Sequence, residues 1–258
     1  MKGKKMFAEE RLQEITKILN ANGKVIVKDL SKIFEVTDDC IRKDLSNLEK
    51  TGILKRTYGG AVSKREASLN KSIINRIDDN IKSKKMIAEK VYNMVCEKET
   101  IFLDIASTNI SVAEAIAQGN KRMTVISNMI DIIQILSKSP YIEVIGIGGV
   151  LNKELSGFIG TSTIEALSVY KVDRAFVGSC GVDLMDHSVT TFMVEDGNTK
   201  KAIMKASKKS YLVIDSTKFN QDGVYRFADI NDFDAFVVDR IDDPKVISKL
   251  EEQNIEVL

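Results

Sequence analysis

From residue 100 onward, short apolar runs alternate with helical stretches, and this alternation limits the body of the chain to one kind of fold. The runs are 100–104 (TIFLD), 122–127 (RMTVIS), 142–147 (IEVIGI), 172–178 (VDRAFVG), 210–215 (SYLVID), 235–239 (AFVVD) and 255–258 (IEVL). Helical stretches lie between most of them, at 109–118, 129–137, 160–170, 195–208 and 243–252. Strands that alternate with helices build a parallel, doubly wound sheet. The expectation is an α/β body with a Rossmann-like sheet. A further helical periodicity runs from Asn75 to Cys96 through Ile77, Ile81, Ile87, Val91, Met94 and Val95.

The segment from Val25 to Gly60 has a different pattern. Val27, Leu30, Ile33 and Phe34 make one apolar face of a short helix. Glu35-Val36 forms a tight connection, and Thr37 offers its hydroxyl as the N-cap of a second helix, with Asp38 and Asp39 at the positive end of its dipole. Ile41, Leu45 and Leu48 then face inward at i, i+4, i+7, while Asp38, Asp39, Arg42, Lys43, Ser46, Asn47 and Lys50 occupy the other face. Thr51-Gly52 ends this helix, and Ile53 to Arg56 reads as a short β-wing closed by Gly59-Gly60. Two short helices, the second with an exposed basic and amide-rich face, have the form of a helix-turn-helix. Periodicity alone fits a plain helical hairpin with a solvated charged face equally well. An amphipathic helix at 7–20, with Phe7, Leu12, Ile15, Ile18 and Leu19 inward, would complete a three-helix core.

Charge is distributed unevenly between the two parts. Residues 1–65 hold 15 Lys/Arg against 9 Asp/Glu, a net of +6, and the remainder holds 23 against 28, a net of −5. A basic head on a mildly acidic body suits phosphate binding by the head. Three separated cysteines (Cys40, Cys96, Cys180) and one histidine, His187, supply no zinc-type ligand cluster and few groups for acid–base catalysis. Reduced thiols in a cytoplasmic protein are expected. No metal, no cofactor and no catalytic residue is assigned. There is no apolar run of membrane-spanning length and no signal-peptide pattern, so no membrane partner is expected. Three segments follow: a basic head over 1–61, a linker over 62–74 and an α/β body over 75–258.

In an open parallel sheet, ligands bind beyond the carboxyl ends of the strands. The first strand of the body leads into Asp104-Ile-Ala-Ser107-Thr108-Asn109, a polar loop opening a helix, where free N–H groups and two hydroxyls suit a phosphate. Other strand ends carry Ser127-Asn128, Gly146-Ile-Gly148-Gly149, Gly178-Ser-Cys-Gly181-Val-Asp183 and Asp215-Ser-Thr-Lys218. Each is weak alone: a G-x-G-G is often only a turn, and Lys218 by itself reads as a surface lysine. Together they suit a phosphorylated polyol, and the absence of G-x-G-x-x-G argues against a dinucleotide. In the helix at 195–208, Lys200, Lys201 and Lys205 read by default as a solvated face, with an anion contact by Lys200 as the alternative. His187, in MDHSVTT, reads as a turn or surface residue in a loop.

Two sets of residues resemble one family. Glu10-Arg11, Ile15, Val27, Asp29-Leu30, Phe34, Ile41-Arg-Lys-Asp-Leu45, Leu48-Glu49, Gly52, Arg56 and Gly59-Gly-Ala61 resemble the N-terminal domain of DeoR-type bacterial transcription regulators. Asp104 with Ser107-Thr108, Ser127-Asn128, Gly148-Gly149, Gly157, Asp173 with Phe176-Val-Gly178, Gly181-Val-Asp183, Lys200 and Asp215-Ser-Thr-Lys-Phe219 are similar to that family's effector domain. Four positions depart from the family pattern. Cys40 stands for the usual Thr, Glu35 for a small residue, and Ala106 and Ser188 for glycines. The resemblance implies a winged helix-turn-helix followed by a domain related to sugar-phosphate isomerases such as ribose-5-phosphate isomerase. DNA contacts are expected from Thr37, Asp39, Cys40, Arg42, Lys43, Ser46, Asn47 and Arg56. Ligand contacts are expected from Asp104, Ser107, Thr108, Asn128, Gly148, Gly149, Gly181, Asp183, Lys200 and Lys218. The implied function is a repressor of sugar-metabolism genes, with double-stranded operator DNA, a phosphorylated sugar effector and a homo-oligomer (dimer or tetramer) as partners. The alternatives are an isomerase-like enzyme, for which Asp183 followed by Leu184 is meagre equipment, and a regulator that has lost its ligand.

Overall fold

A computed structural model describes residues 8–22, 24–51, 54–63, 66–67 and 72–258. Phe7, Gly52, Ile53 and, of the expected linker, residues 64–65 and 68–71 lie outside them. The chain divides into two compact units, Met1–Glu66 and Ala67–Leu258.

In the first unit, α1 (Ala8–Asn22) is followed by β1 (Lys24–Ile26), α2 (Val27–Ile33), α3 (Asp38–Lys50), β2 (Leu54–Thr57) and β3 (Gly60–Ser63). Ile15, Leu19, Val27, Leu30, Ile41, Leu45 and Leu48 form its core, as their spacing predicts. Ile33 is the exception, at 59% exposed. At about 100° per residue it lies well off the Val27–Leu30–Phe34 stripe, and α2 is too short to curve it back. The wing is three-stranded: β3 pairs with β2 and also with β1, which the sequence reading had not separated from α2. Gly60 is required at that crossing, because a Cβ there would lie 2.1 Å from the Val25 carbonyl oxygen. Glu35 turns the chain between α2 and α3 with φ 52, a left-handed conformation that glycine, lacking a Cβ, adopts at less cost.

Beneath α3 runs a buried ion pair. Arg11 Nε donates to Asp44 Oδ2 at 2.6 Å and Nη2 to Oδ1 at 3.2 Å, with both side chains below one-tenth exposed. This two-point contact ties α1 to the inner face of α3.

A two-residue strand, β4 (Glu66–Ala67), spans the boundary, and in the second unit α4 (Ile73–Ile77) and α5 (Ile81–Met94) follow. The expected single helix is thus broken, at Asn80, which takes φ 53. α4 also begins inside the stretch read as linker, with Ile73 packed into the body's core. Then come β5 (Thr100–Leu103), α6 (Ser107–Gln118), β6 (Met123–Ser127), α7 (Ile130–Leu136), β7 (Ile142–Gly146), the hairpin β8 (Val150–Asn152) and β9 (Gly157–Ile159), and α8 (Thr161–Leu167). They are followed by β10 (Val172–Val177), β11 (Gly181–Asp183), β12 (Ser188–Thr191), α9 (Val194–Ala206), β13 (Ser207–Ile214), β14 (Gln221–Asp222), β15 (Tyr225–Asp229), β16 (Ala235–Val238) and α10 (Pro244–Glu252).

Six of these strands make a parallel sheet in the order β16-β13-β10-β5-β6-β7. Ile101 and Leu103 bury into one core with α5 and α6, and Phe102 into a second core with Ile203 of α9. Burial on both faces explains the unbroken apolar runs. The expected strand at 255–258 forms only an isolated parallel bridge, Val257 to Phe236. The loop expected around His187 is instead a β-hairpin, with His187 at its turn (φ 62) and β12 buried throughout and paired to β11 and β15. Its sequence, SVTT, has no apolar run because the buried hydroxyls of Thr190 and Thr191 are hydrogen-bonded to Gly181 O and Asp196. Among the described residues, no helix is long and apolar enough to cross a membrane.

Removing one partner of a buried ion pair strands the other, at about 3–5 kcal/mol. Asp44→Ala should therefore unfold the first unit and leave the second intact, whereas Arg11→Met with Asp44→Leu should recover most of the loss. Hydrogen exchange of the α3 amides checks this: protection retained in Asp44→Ala would show that the pair contributes little.

Candidate functional site

The outer face of α3 is built as the sequence predicts. Thr37 caps the helix, its Oγ1 accepting from Cys40 N at 3.3 Å. Asp39, Arg42, Lys43 and Asn47 are exposed, and Ser46 is half-buried. Arg42 Nη1 pairs with Asp39 Oδ1 at 2.7 Å, one turn apart on the surface. An exposed pair of this kind contributes little to stability and separates readily, which leaves the guanidinium free to exchange its partner. Cys40 is turned partly inward, its Sγ accepting from Arg11 Nη2 at 3.3 Å. Arg56 stands exposed on the wing, its backbone N donating to Glu49 Oε1 at 2.8 Å.

The second site follows from the sheet order. From β5 the chain proceeds to β6 and β7 on one side, while β10, β13 and β16 lie on the other, so β5 and β10 flank the switch point. A crevice must open beyond their carboxyl ends. There, a cavity of about 400 Å³ is walled by Ile105–Thr108 after β5, Gly178–Cys180 after β10 and Ile214, Asp215, Thr217 and Lys218 at the end of β13, with α4 and α5 closing one side.

A buried polar cluster supports its floor. Asp104 is fully buried, and Lys200 Nζ donates to its Oδ2 and, at 3.3 Å, to Ile105 O. Asp104 Oδ1 accepts from Asn109 Nδ2 at 2.7 Å and Gly178 N at 3.1 Å. Asp196 lies 3.7 Å from Lys200 and accepts from Thr191 Oγ1 at 2.6 Å. Burial pushes the Asp104 carboxyl up and works against the Lys200 charge, but Asp104 and Asp196 outweigh it at Lys200, whose ammonium is held above the ordinary lysine range. Lys200 is thus 3% exposed, not part of a solvated face, whereas Lys201 and Lys205 are exposed as expected. The Ala106 side chain packs over Gly178, where an added Cβ would lie 2.5 Å from it. Ala106 is also the N-cap of α6 and makes no side-chain capping bond, so the helix opens toward the cavity uncapped.

Of the expected ligand residues, Ser107, Thr108, Lys200 and Lys218 line this cavity, and Asp104 lies beneath it. Lys218 is half-buried and donates to Gln221 Oε1 at 2.8 Å. The others are placed elsewhere. Asn128 donates to Phe158 O at 2.8 Å, and Gly149 packs against Thr163. Gly148 has open space around it, and Gly181 abuts the Gln221 backbone. Asp183 Oδ1 caps the hairpin turn by accepting from Met185 N at 2.7 Å. Ser188 sits opposite Asp183 in the same hairpin. Sequence reasoning missed Arg76 of α4, Lys84 of α5 and Asn80 between them, which reach the cavity. Nothing in their spacing separates them from an ordinary charged helix face.

Lys84 is itself buried, with Nζ donating to Arg76 O and, at 3.3 Å, to Ile77 O. Burial pulls its pKa down from 10.5 to about 8, against the upward pull of Asp215 and Asp79. Between those values the unfolded chain holds a proton that the folded one has released, so stability rises with pH across that window. Lys84→Met should abolish this rise, read as urea midpoints at about pH 7.5 and about pH 10. At the floor, Lys200→Met should cost several kcal/mol by stranding Asp104, roughly 3–5, and adding Asp104→Asn should restore part of it. Strictly additive losses in the same urea titrations would contradict the pairing.

Two family models match the chain: "DeoR-like helix-turn-helix domain" over residues 11–67 and "DeoR C terminal sensor domain" over residues 79–240. The HTH-type transcriptional repressor GlcR of Bacillus subtilis is 28% identical, covering 98% of this chain and 96% of its own. The lactose phosphotransferase system repressor of Streptococcus mutans is 32% identical over 93% and 96% of the two chains. The glycerol-3-phosphate regulon repressor of Escherichia coli is 27% identical over 98% and 99%. Among solved structures, ribose 5 phosphate isomerase A from Neisseria gonorrhoeae aligns with 55% of this chain and 53% of its own, at 19% identity and a TM-score of 0.39, a likeness that says nothing of activity.

Proposed function

The chain belongs to the DeoR family of helix-turn-helix transcriptional regulators, and on that premise we propose that it is a repressor of sugar-metabolism genes, released from its operator when a phosphorylated sugar enters the switch-point cavity. The observation that carries the effector half of this reading is the uncapped start of α6 facing one cavity together with Arg76 and Lys218, in a lining whose other two cations, Lys84 and Lys200, are held by carbonyls and by Asp104 and Asp196, and to which Asp78, Asp79 and Asp215 also belong. A helix N-terminus with nearby cations favours a phosphate dianion, and the hydroxyls of Ser107 and Thr108 suit the rest of a polyol. The names of the relatives agree in kind: they are repressors, two of them named for lactose or glycerol 3-phosphate.

On the DNA side, α3 would lie in the major groove, with Arg42, Lys43, Ser46 and Asn47 toward base edges and phosphates, Thr37, Asp39 and Cys40 at its leading end, and Arg56 of the wing on the backbone. A head with a net charge of +6 over residues 1–65 is modest for tight binding. Two heads on paired half-sites supply the rest, so a homo-oligomer, at least a dimer, belongs to this reading. The effector acts by binding the DNA-free arrangement more tightly than the DNA-bound one, since equal affinity would shift nothing. The isomerase alternative lacks support in the chain's relatives, which are named as regulators.

Fluorescence anisotropy with the protein's own upstream DNA, at fixed salt and with a panel of sugar phosphates, tests the whole. Binding that one phosphate weakens is the expected result, and no specific binding at moderate salt would overturn it. Arg42→Ala should weaken operator binding by roughly 1–3 kcal/mol while sparing the phosphate response. Lys218→Ala should blunt the phosphate response and leave ligand-free operator affinity within about twofold, a change under 0.5 kcal/mol.

A further inference from the structure

Among the described residues that line this cavity, two buried side-chain polar atoms have no hydrogen-bond partner. Arg76 Nε and Ser179 Oγ are both buried and make no hydrogen bond, and both residues line the cavity. The other recorded contact of the Arg76 guanidinium is a long one, Nη1 to Cys180 Sγ at 4.0 Å. A buried donor without an acceptor is costly, and more so when it carries charge. The remaining cations are already engaged: Lys200 by two carboxylates, Lys84 by two carbonyls and Lys218 by Gln221. Arg76 alone among these four cavity cations holds a buried N–H with nothing to accept it.

Resting on the reading that an anionic effector occupies this cavity, we infer that Arg76 and Ser179 bind the effector's anionic group, and that Arg76 thereby makes α4 part of the ligand site. A guanidinium presents its N–H groups as a rigid fork, suited to two oxygens of one phosphate. Its helix is held firmly. Ile73 N donates to Glu154 O at 2.8 Å, Lys84 ties down the carbonyls of Arg76 and Ile77, and Asn80, just beyond, bonds Asp215 Oδ1 at 3.1 Å. α4 is also the first helix of the second unit, entered directly from the segment joining it to the DNA-binding unit. A ligand oxygen drawn to Arg76 therefore acts on the element where the chain enters the sensor. Lys84 positions α4 through its backbone; Arg76 touches the ligand.

The test uses the full-length protein with inorganic phosphate, read as the thermal shift against phosphate concentration, and operator anisotropy without phosphate. Arg76→Gln should weaken the apparent phosphate affinity at least about tenfold, a change near 1.4 kcal/mol. Its ligand-free Tm should not fall below the parent's, because the buried Nε has no acceptor to lose, and operator binding without phosphate reports that the variant is folded. Arg76→Lys, which keeps the charge but loses Nε and the fork, should recover only part, and Ser179→Ala should show a smaller loss in the same direction. A parent protein that responds to phosphate beside an Arg76→Gln variant that responds equally would overturn the assignment and leave the cavity reading standing. A parent protein with no phosphate response would overturn the cavity reading itself. Should Arg76→Gln fail to fold, Arg76→Lys and Ser179→Ala decide, and parent-like affinity in both would reject the inference.

Discussion

The sensor unit depends on one fully buried carboxylate. Asp104 ends β5 at the switch point, and its two oxygens join four elements: β5 itself, α6 through Asn109, the loop after β10 through Gly178 N, and α9 through Lys200. A charge in such a position is tolerable only if fully paired and hydrogen-bonded. That requirement dictates the surroundings. Gly178 must bring its backbone close, Lys200 must reach inward from a helix whose neighbouring lysines face solvent, and Asp196 must share the ammonium. The cavity above inherits its shape from this arrangement. It also inherits an ammonium that is charged but already matched, so Lys200 serves the floor more than the ligand.

The N-terminal unit solves the same problem at smaller scale. Its core is a handful of aliphatic side chains, too small to fix α1 against α3 by area alone. The Arg11–Asp44 contact adds a directional tie between them, and it places Cys40 beside the same guanidinium. Register between those helices matters because the outer face of α3 is the surface we propose for DNA contact. A slip of the inner face would rotate Arg42 and Asn47 away from it.

Much of this was legible in the sequence. Strands buried on both faces leave continuous apolar runs, so β5, β6, β10, β13 and β16 could be read directly, as could the half-buried edge strand β7, and from their alternation with helices the switch-point site followed. What escaped was of three kinds. β12 (SVTT) is buried through hydroxyls that find partners only in the folded chain, so its polarity read as a loop. Lys200 looked like its neighbours Lys201 and Lys205, because one-dimensional spacing cannot register a carboxylate ninety-six positions away. Arg76 and Lys84 belong to a helical stretch broken at Asn80, and the left-handed residue that makes the break leaves little mark in composition. Local pattern reveals which faces are apolar; long-range pairing decides which charges are buried.

That distinction bears on how such a regulator responds to a ligand. Coupling between two sites is a difference in interaction energy between two arrangements of the chain. Groups that are already satisfied, such as Lys200 and Lys84, gain little from a ligand and hold the scaffold constant. Groups left unsatisfied, such as Arg76 Nε and Ser179 Oγ, have the most to gain when an acceptor arrives. On the proposed binding mode, the largest energetic response to ligand falls at these two groups, one of them on α4. An effector can bias the regulator through that difference while the sheet beneath remains a fixed support.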